Sequence, residues 1–202
     1  MHTRRFARRL GYSLIGALAA LSAAPSGARA QGHDAHAATP LHQGPASHHD
    51  EQDSAFVTAV RNSTERFRDA SMAEAEGYVL QFGCVSGSDQ GAMGVHFVNG
   101  PLVGDGLLDV ARPEALVYEP MRGGGFRLVA VEYLVLADAW HVKHPAPPEL
   151  MGQLFHLIDS PNRFGLPAFY SLHVWAWKDN PSGTFVNWSP KVSCDAYNPQ
   201  NR

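Results

Sequence analysis

The run Phe169–Phe185, FYSLHVWAWKDNPSGTF, constrains the fold more than any other stretch. Aromatic and β-branched residues run into an Asp-Asn-Pro-Ser-Gly turn, the pattern of a β-strand with an abrupt end. Side chains alternate across a strand. Tyr170, Leu172, Val174 and Ala176 therefore share one face, and Ser171, His173, Trp175 and Trp177 share the other. The first face needs an apolar partner. The second sets one imidazole between two indoles, which predicts a buried polar site on a sheet.

A second strand, Phe126–Ala137, carries a similar conflict. Val129, Val131, Tyr133 and Val135 share a face, and Ala130, Glu132, Leu134 and Leu136 share the opposite one. Glu132 interrupts a strand that is otherwise apolar on both faces. A buried carboxylate is costly unless it is paired, protonated or bound to a metal. The expected strand Ala92–Asn99 adds His96 beside Gly94 and Val98, and Leu154–Asp159 adds His156. His96, Glu132, His156 and His173 together predict a site of three histidines and one carboxylate for a divalent transition metal, Zn, Cu, Fe or Mn. Small neighbours, Gly94 and Ala130, leave room for it, and Trp175 and Trp177 would wall it from water. The plainer alternatives are hydrogen-bonded core histidines and an ion pair of Glu132 with Arg127 or Arg163. His141 and His144 are weaker candidates, on a proline-rich connection over 138–153 that reads as a lid.

The remaining pattern fills in an architecture. Residues 54–76 predict one helix: Ser54 is a possible N-cap, Gly77 ends it, and Phe56, Val60, Phe67, Ala70 and Ala73 form its apolar stripe. Strands follow at Tyr78–Val85, Ala92–Asn99, Glu114–Pro120 and Phe126–Ala137. The last two are joined through Arg122-Gly-Gly-Gly as an antiparallel hairpin, and Gly100–Pro113 reads as a loop. The expected class is α+β, one N-terminal helix packed on a curved antiparallel β-sheet or small cupin-like barrel, as a single domain over 54–202.

The N-terminal part reads differently. Residues 1–30 predict a signal peptide: Arg4, Arg5, Arg8 and Arg9, an apolar run from Leu10 to Ala24, and the small-x-small site Ala28-Arg29-Ala30. Thr3-Arg4-Arg5-Phe6 admits the twin-arginine route as well as the general secretory one. The expected address is periplasmic or secreted. Residues 31–53 hold His33, His36, His42, His48 and His49 among few apolar residues, and predict a disordered His-rich arm able to gather metal.

Of 16 Lys and Arg, five fall in the leader, which leaves 11 against 19 Asp and Glu and a mature net charge of −8. That balance argues against nucleic acid and anionic membrane surfaces as partners. Two cysteines, Cys84 and Cys194, predict one disulfide in an oxidising compartment, worth about 4–5 kcal/mol in the chain-entropy model. A metal ligand or a free thiol is the rival reading. No GxSxG supports a serine nucleophile, and nothing fixes a carboxylate pair of the glycosidase kind around Glu132. Trp140, Trp175, Trp177 and Trp188 could stack on a sugar, but tryptophans in a β core are more often structural.

The motifs MGVHFVN, RPEALVYEP, LVAVEYLV and FYSLHVWAWKDNPSGTF, with Cys194, resemble an uncharacterised family of exported bacterial proteins over roughly 70–194. The resemblance implies export and a single domain and attaches no activity. Among well-known architectures a cupin is the nearest analogy for such a site, although the chain has no HxH pair. The function expected is therefore a metal-binding protein, as a mononuclear metalloenzyme for a small organic or sugar-like substrate. The alternatives are a non-catalytic metal handler working through the arm, and a metal-free ligand- or sugar-binding module.

Overall fold

The computed structural model describes residues 48–87 and 89–199, which fall in one compact unit. The expected signal segment and residues 31–47 of the arm lie outside the described residues. Residues 48–53 do not follow the expectation of disorder. Helix α1 spans His48–Thr64 and so starts six residues before Ser54. A tertiary contact supports its first turns, where Gln153 Nε2 donates to Asp53 Oδ1 at 2.8 Å.

The single helix expected over 54–76 is broken. A 3-10 turn follows over Glu65–Arg68, then helix α2 over Ala70–Ala75. The break falls at Asp69, which adopts an extended backbone and accepts from Ser71 N at 3.0 Å. Asp favours an N-cap over a helix interior, because its short carboxylate competes for backbone N–H groups. The expected stripe survives the kink: Phe56, Val60, Phe67 and Ala73 are buried.

Eight strands follow, with two short helices. They are β1 Val79–Ser86, β2 Ala92–Val98, α3 Gly100–Asp105, β3 Ala115–Pro120, β4 Phe126–Leu136, α4 Ala137–His141, β5 Glu149–Leu150, β6 Gln153–Leu154, β7 His156–Ile158 and β8 Phe169–Val174. The segment 100–113, expected as a loop, thus opens with a helical turn capped by the Asn99 side chain. The β3–β4 hairpin forms as expected, with Ala115 opposite Glu132 and Val117 opposite Ala130. Six strands make one strongly curled antiparallel half-barrel in the order β1-β2-β3-β4-β8-β7, and β5-β6 form a small ribbon. The sheet is open, since its edge strands β1 and β7 do not pair with each other.

One face of the sheet carries the main core. Val95, Phe97, Leu116, Tyr118, Val131, Tyr133, Tyr170, Leu172 and Val174 pack there with Phe56, Val60 and Phe67 from the helical segment. The opposite face is divided. One end holds Ala92, Val117, Ala130 and Trp175 with Val192, and the other holds Ala115, Leu134 and Phe169. The C-terminal segment returns across this second face. Ser189 bridges to Ala92, and Cys194 is joined to Cys84 by the expected disulfide, 110 residues apart.

Two expectations are corrected by this layout. The strand from Phe169 ends at Val174, where Ala176 N donates back to Val174 O at 2.8 Å. Alternation stops there, so Trp177 turns to the helix side and its Nε1 donates to Thr64 Oγ1 at 3.0 Å. His173 therefore has one indole beside it, Trp175, and not two. The connection 138–153 is not a lid over the polar site. Trp140 and Leu150 pack against the main core, and His141 Nε2 meets Tyr170 Oη at 2.9 Å on that same face. His144 stacks on Trp140. Both histidines are thereby on the face away from Glu132.

Candidate metal centre

Alternation places His96, Glu132 and His173 on the second face, between its two apolar ends. Glu132 and His173 are direct cross-strand partners of β4 and β8. His96 comes from β2, two strands from Glu132, and stands opposite Val117 of β3. Between them β3 presents Ala115, whose methyl group leaves space for the two long side chains to meet above it. Gly94 sets the approach of β2 to β3. A Cβ at this position would lie 2.5 Å from Tyr118 O, and its φ of +117° is one that side-chain-bearing residues avoid.

The three side chains converge. His96 Nε2 lies 3.4 Å from His173 Nε2 and 3.4 Å from Glu132 Oε2. His173 Nδ1 lies 3.7 Å from Glu132 Oε1. One ligand atom from each residue lies within 4.8 Å of the other two, and all three residues are buried. Two ligand atoms, each about 2.1 Å from one tetrahedral ion, are about 3.4 Å apart. The two separations from His96 Nε2 match that spacing, so this buried His-Glu-His group is able to hold a metal.

Burial favours the ligating, neutral form of the two imidazoles and disfavours the ligating, ionised form of the carboxyl. Burial pushes His96 down to about 4, against the opposing pull of Glu132 and with added repulsion from His173. Burial pushes His173 down to about 4 as well. Asn187 opposes that shift although no hydrogen bond of good geometry forms, and His156 reinforces it. Both imidazoles are neutral at pH 7, the form that binds metals. Burial raises Glu132, with His96 and the Ser171 hydroxyl working against the shift. Ser171 Oγ donates to Glu132 Oε1 in a short hydrogen bond.

Unpaired atoms distinguish this group from a closed polar network. His96 Nδ1, His173 Nδ1 and Asn187 Oδ1 are buried without hydrogen-bond partners. Buried polar atoms are seldom left so. A ligating imidazole ordinarily donates its second ring N–H to a carbonyl or carboxylate, which fixes the ring. Asn187 Oδ1 is such an acceptor beside His173.

The fourth expected ligand stands apart. His156 of β7 pairs with Ser171, two residues along β8 from His173, and is exposed. Two residues displace it by about 6.6 Å along the strand, and β7 is the free edge of the sheet. The alternative arginine pairings of Glu132 do not form: Arg127 meets Glu119, and Arg163 donates to Ser86 O. Ser171 was visible on the correct face in the alternation but carried no signal of its role. Asn187 had no sequence signal, since it arrives through the returning C-terminal segment.

A pocket of about 330 Å³ opens beside the group and touches His96 and Glu132. Its other polar side chain is Gln81. The walls are Phe82, Val98, Val103, Leu134, Phe164, Leu166 and Phe169. Compared with models of protein families, with curated proteins and with solved structures, the chain matches none. Among the described residues, no helix is long and apolar enough to cross a membrane.

Proposed function

We propose that the chain is an exported metalloprotein that holds one divalent transition metal on His96, Glu132 and His173. The observation that carries this reading is the convergence of three buried ligand atoms within 4.8 Å of one another, with unpaired ring nitrogens behind them. Two histidines and one carboxylate form the protein ligand set of catalytic zinc sites and of non-haem iron sites, which keep a coordination position free. The pocket beside His96 and Glu132 gives such a position an outlet, and this favours a mononuclear enzyme over metal handling. A metal there would supply Lewis-acid activation of a bound water or substrate oxygen. The protein's own part is to hold both imidazoles neutral, to orient Glu132 through Ser171, and to keep the centre dry. The disulfide fits an oxidising compartment and hence a periplasmic or secreted address.

Elemental analysis of tag-free protein, purified and then re-equilibrated with Zn, Fe, Mn or Cu, tests the reading. One tight equivalent is expected. His173→Ala abolishes it, whereas His156→Ala and removal of residues 31–47 preserve it. A chain that retains no tight equivalent, or keeps it in His173→Ala, overturns the assignment.

A further inference from the structure

We infer that the site takes a small amphiphile, with its polar head at His96 and Glu132 and a short apolar chain in the pocket walled by Phe82, Leu134, Phe164 and Phe169. This names the ligand class of the proposed metal centre and rests on that reading for the position of the head group.

Size and lining support it first. Ligand pockets are concave, mostly apolar, and carry a few polar groups that orient the ligand. This one has its polar side chains, Gln81, His96 and Glu132, against seven bulky apolar walls. At about 30 Å³ for a water-sized group, 330 Å³ admits on the order of ten non-hydrogen atoms.

The local backbone builds the apolar end. The pairing of β1 with β2 slips between Gln81 and Cys84, so Phe82 and Gly83 have no partners in the ladder. Phe82 sits at φ 62°, a left-handed conformation that a bulky residue adopts at a cost. The slip holds its ring edge-on to Phe164 at 5.3 Å, and Phe164 in turn meets Phe169 at 6.1 Å. Cys84, tied to Cys194, fixes the strand immediately after it. The strained position thus carries an aromatic ring at the pocket and places it against Phe164, which in turn packs on Phe169.

The same observations exclude a sugar. No tryptophan lines the pocket. Trp140, Trp175 and Trp177 instead give their N–H groups to Ala146 O, Val186 O and Thr64 Oγ1. Three polar side chains on an apolar wall are too few for a polyhydroxylated ring, whose buried hydroxyls each need a partner.

The test is calorimetric titration of straight-chain carboxylates, acetate to decanoate, into the full chain, metal-free and loaded with Co(II). Each methylene buried should tighten binding about fourfold, with a plateau near octanoate and a negative heat-capacity change. Phe164→Glu, at a half-exposed loop position, should flatten the series while leaving Co(II) stoichiometry and the thermal transition unchanged. Affinity independent of chain length, or a series unaffected by Phe164→Glu, overturns the inference. Failure to bind Co(II) would defeat the metal reading alone, because the slope in the metal-free protein still decides the ligand class.

Discussion

The two faces of the half-barrel are finished in opposite ways. On the helix face the buried core tyrosines have partners: Tyr78, Tyr118 and Tyr133 donate their hydroxyls to Pro113 O, Phe67 O and Val110 O at 2.7–2.8 Å. Their rings fill the core and their oxygens close the backbone's loose ends. On the opposite face, two imidazoles and a carboxylate are buried together and two ring nitrogens stay unpaired. The first face is built for stability. On the proposed metal-site reading, the second gives up stability to keep ligand atoms free, as functional sites often do. Substitutions should therefore differ in effect, acting mainly on stability at the first face and mainly on metal binding at the second.

The largest effect should come from the helix face. Phe97 is buried and packs edge-on to Tyr118 and Phe126. Phe97→Ala should cost about 3–5 kcal/mol in chemical denaturation, with metal stoichiometry retained in the folded fraction. A loss below about 1 kcal/mol would show that this face is not the principal core.

Next is the response to metal. At a thousandfold excess over Kd, binding to the folded state alone adds about 4 kcal/mol. Thermal unfolding should record that gain in the wild type and none of it in His173→Ala. Equal shifts in both would place the metal elsewhere.

Glu114, at the start of β3, should make stability depend on pH. Burial raises its carboxyl from 4.5 to about 8, against the opposing hydrogen bond from Leu134 N, while Asp105 and Glu132 add to the rise. Arg112, Tyr78 and Tyr133 are the other titratable groups coupled to it. The folded value lies above the unfolded one. Its contribution is therefore complete below about pH 4.5 and is lost as pH rises towards 8, by a few kcal/mol. Glu114→Gln should remove that slope from metal-free protein. A slope unchanged by the substitution would assign it to other groups.

Smaller effects sharpen the contrast. Tyr133→Phe leaves Val110 O without its donor and should cost about 1 kcal/mol. His96→Leu should cost about 1–2 kcal/mol in metal-free protein, since it removes one incompletely paired polar group but leaves His173 Nε2 and Glu132 Oε2 without their contact to it. If His96→Leu costs as much as Phe97→Ala, the imidazole is a structural element and the two faces do not differ in kind.

Much of this was readable in the chain. Period-two alternation assigned Tyr170, Leu172 and Val174 to the core and His96, Glu132 and His173 to the other face, because a strand offers only two directions. The Gly-rich turn fixed the β3–β4 hairpin, and two cysteines in the folded part left one intramolecular pairing. Local rules failed where the backbone left regular geometry. The turn after Val174 moved Trp177 to the helix side, and Asp69 broke a helix whose composition contained no Gly or Pro.

The sequence by itself determined which residue types must be buried and on which side of each strand they lie, since burial cost and alternation are local. Tertiary structure decided which of those residues meet. Sheet order and register set that choice: they put Glu132 opposite His173, leave Ala115 beneath the gap to His96, and pair His156 with Ser171 at an exposed edge. Strand order depends on pairing between distant segments, and curl depends on the whole sheet. No window of the sequence contains either, so three of four expected ligands converge and the fourth does not.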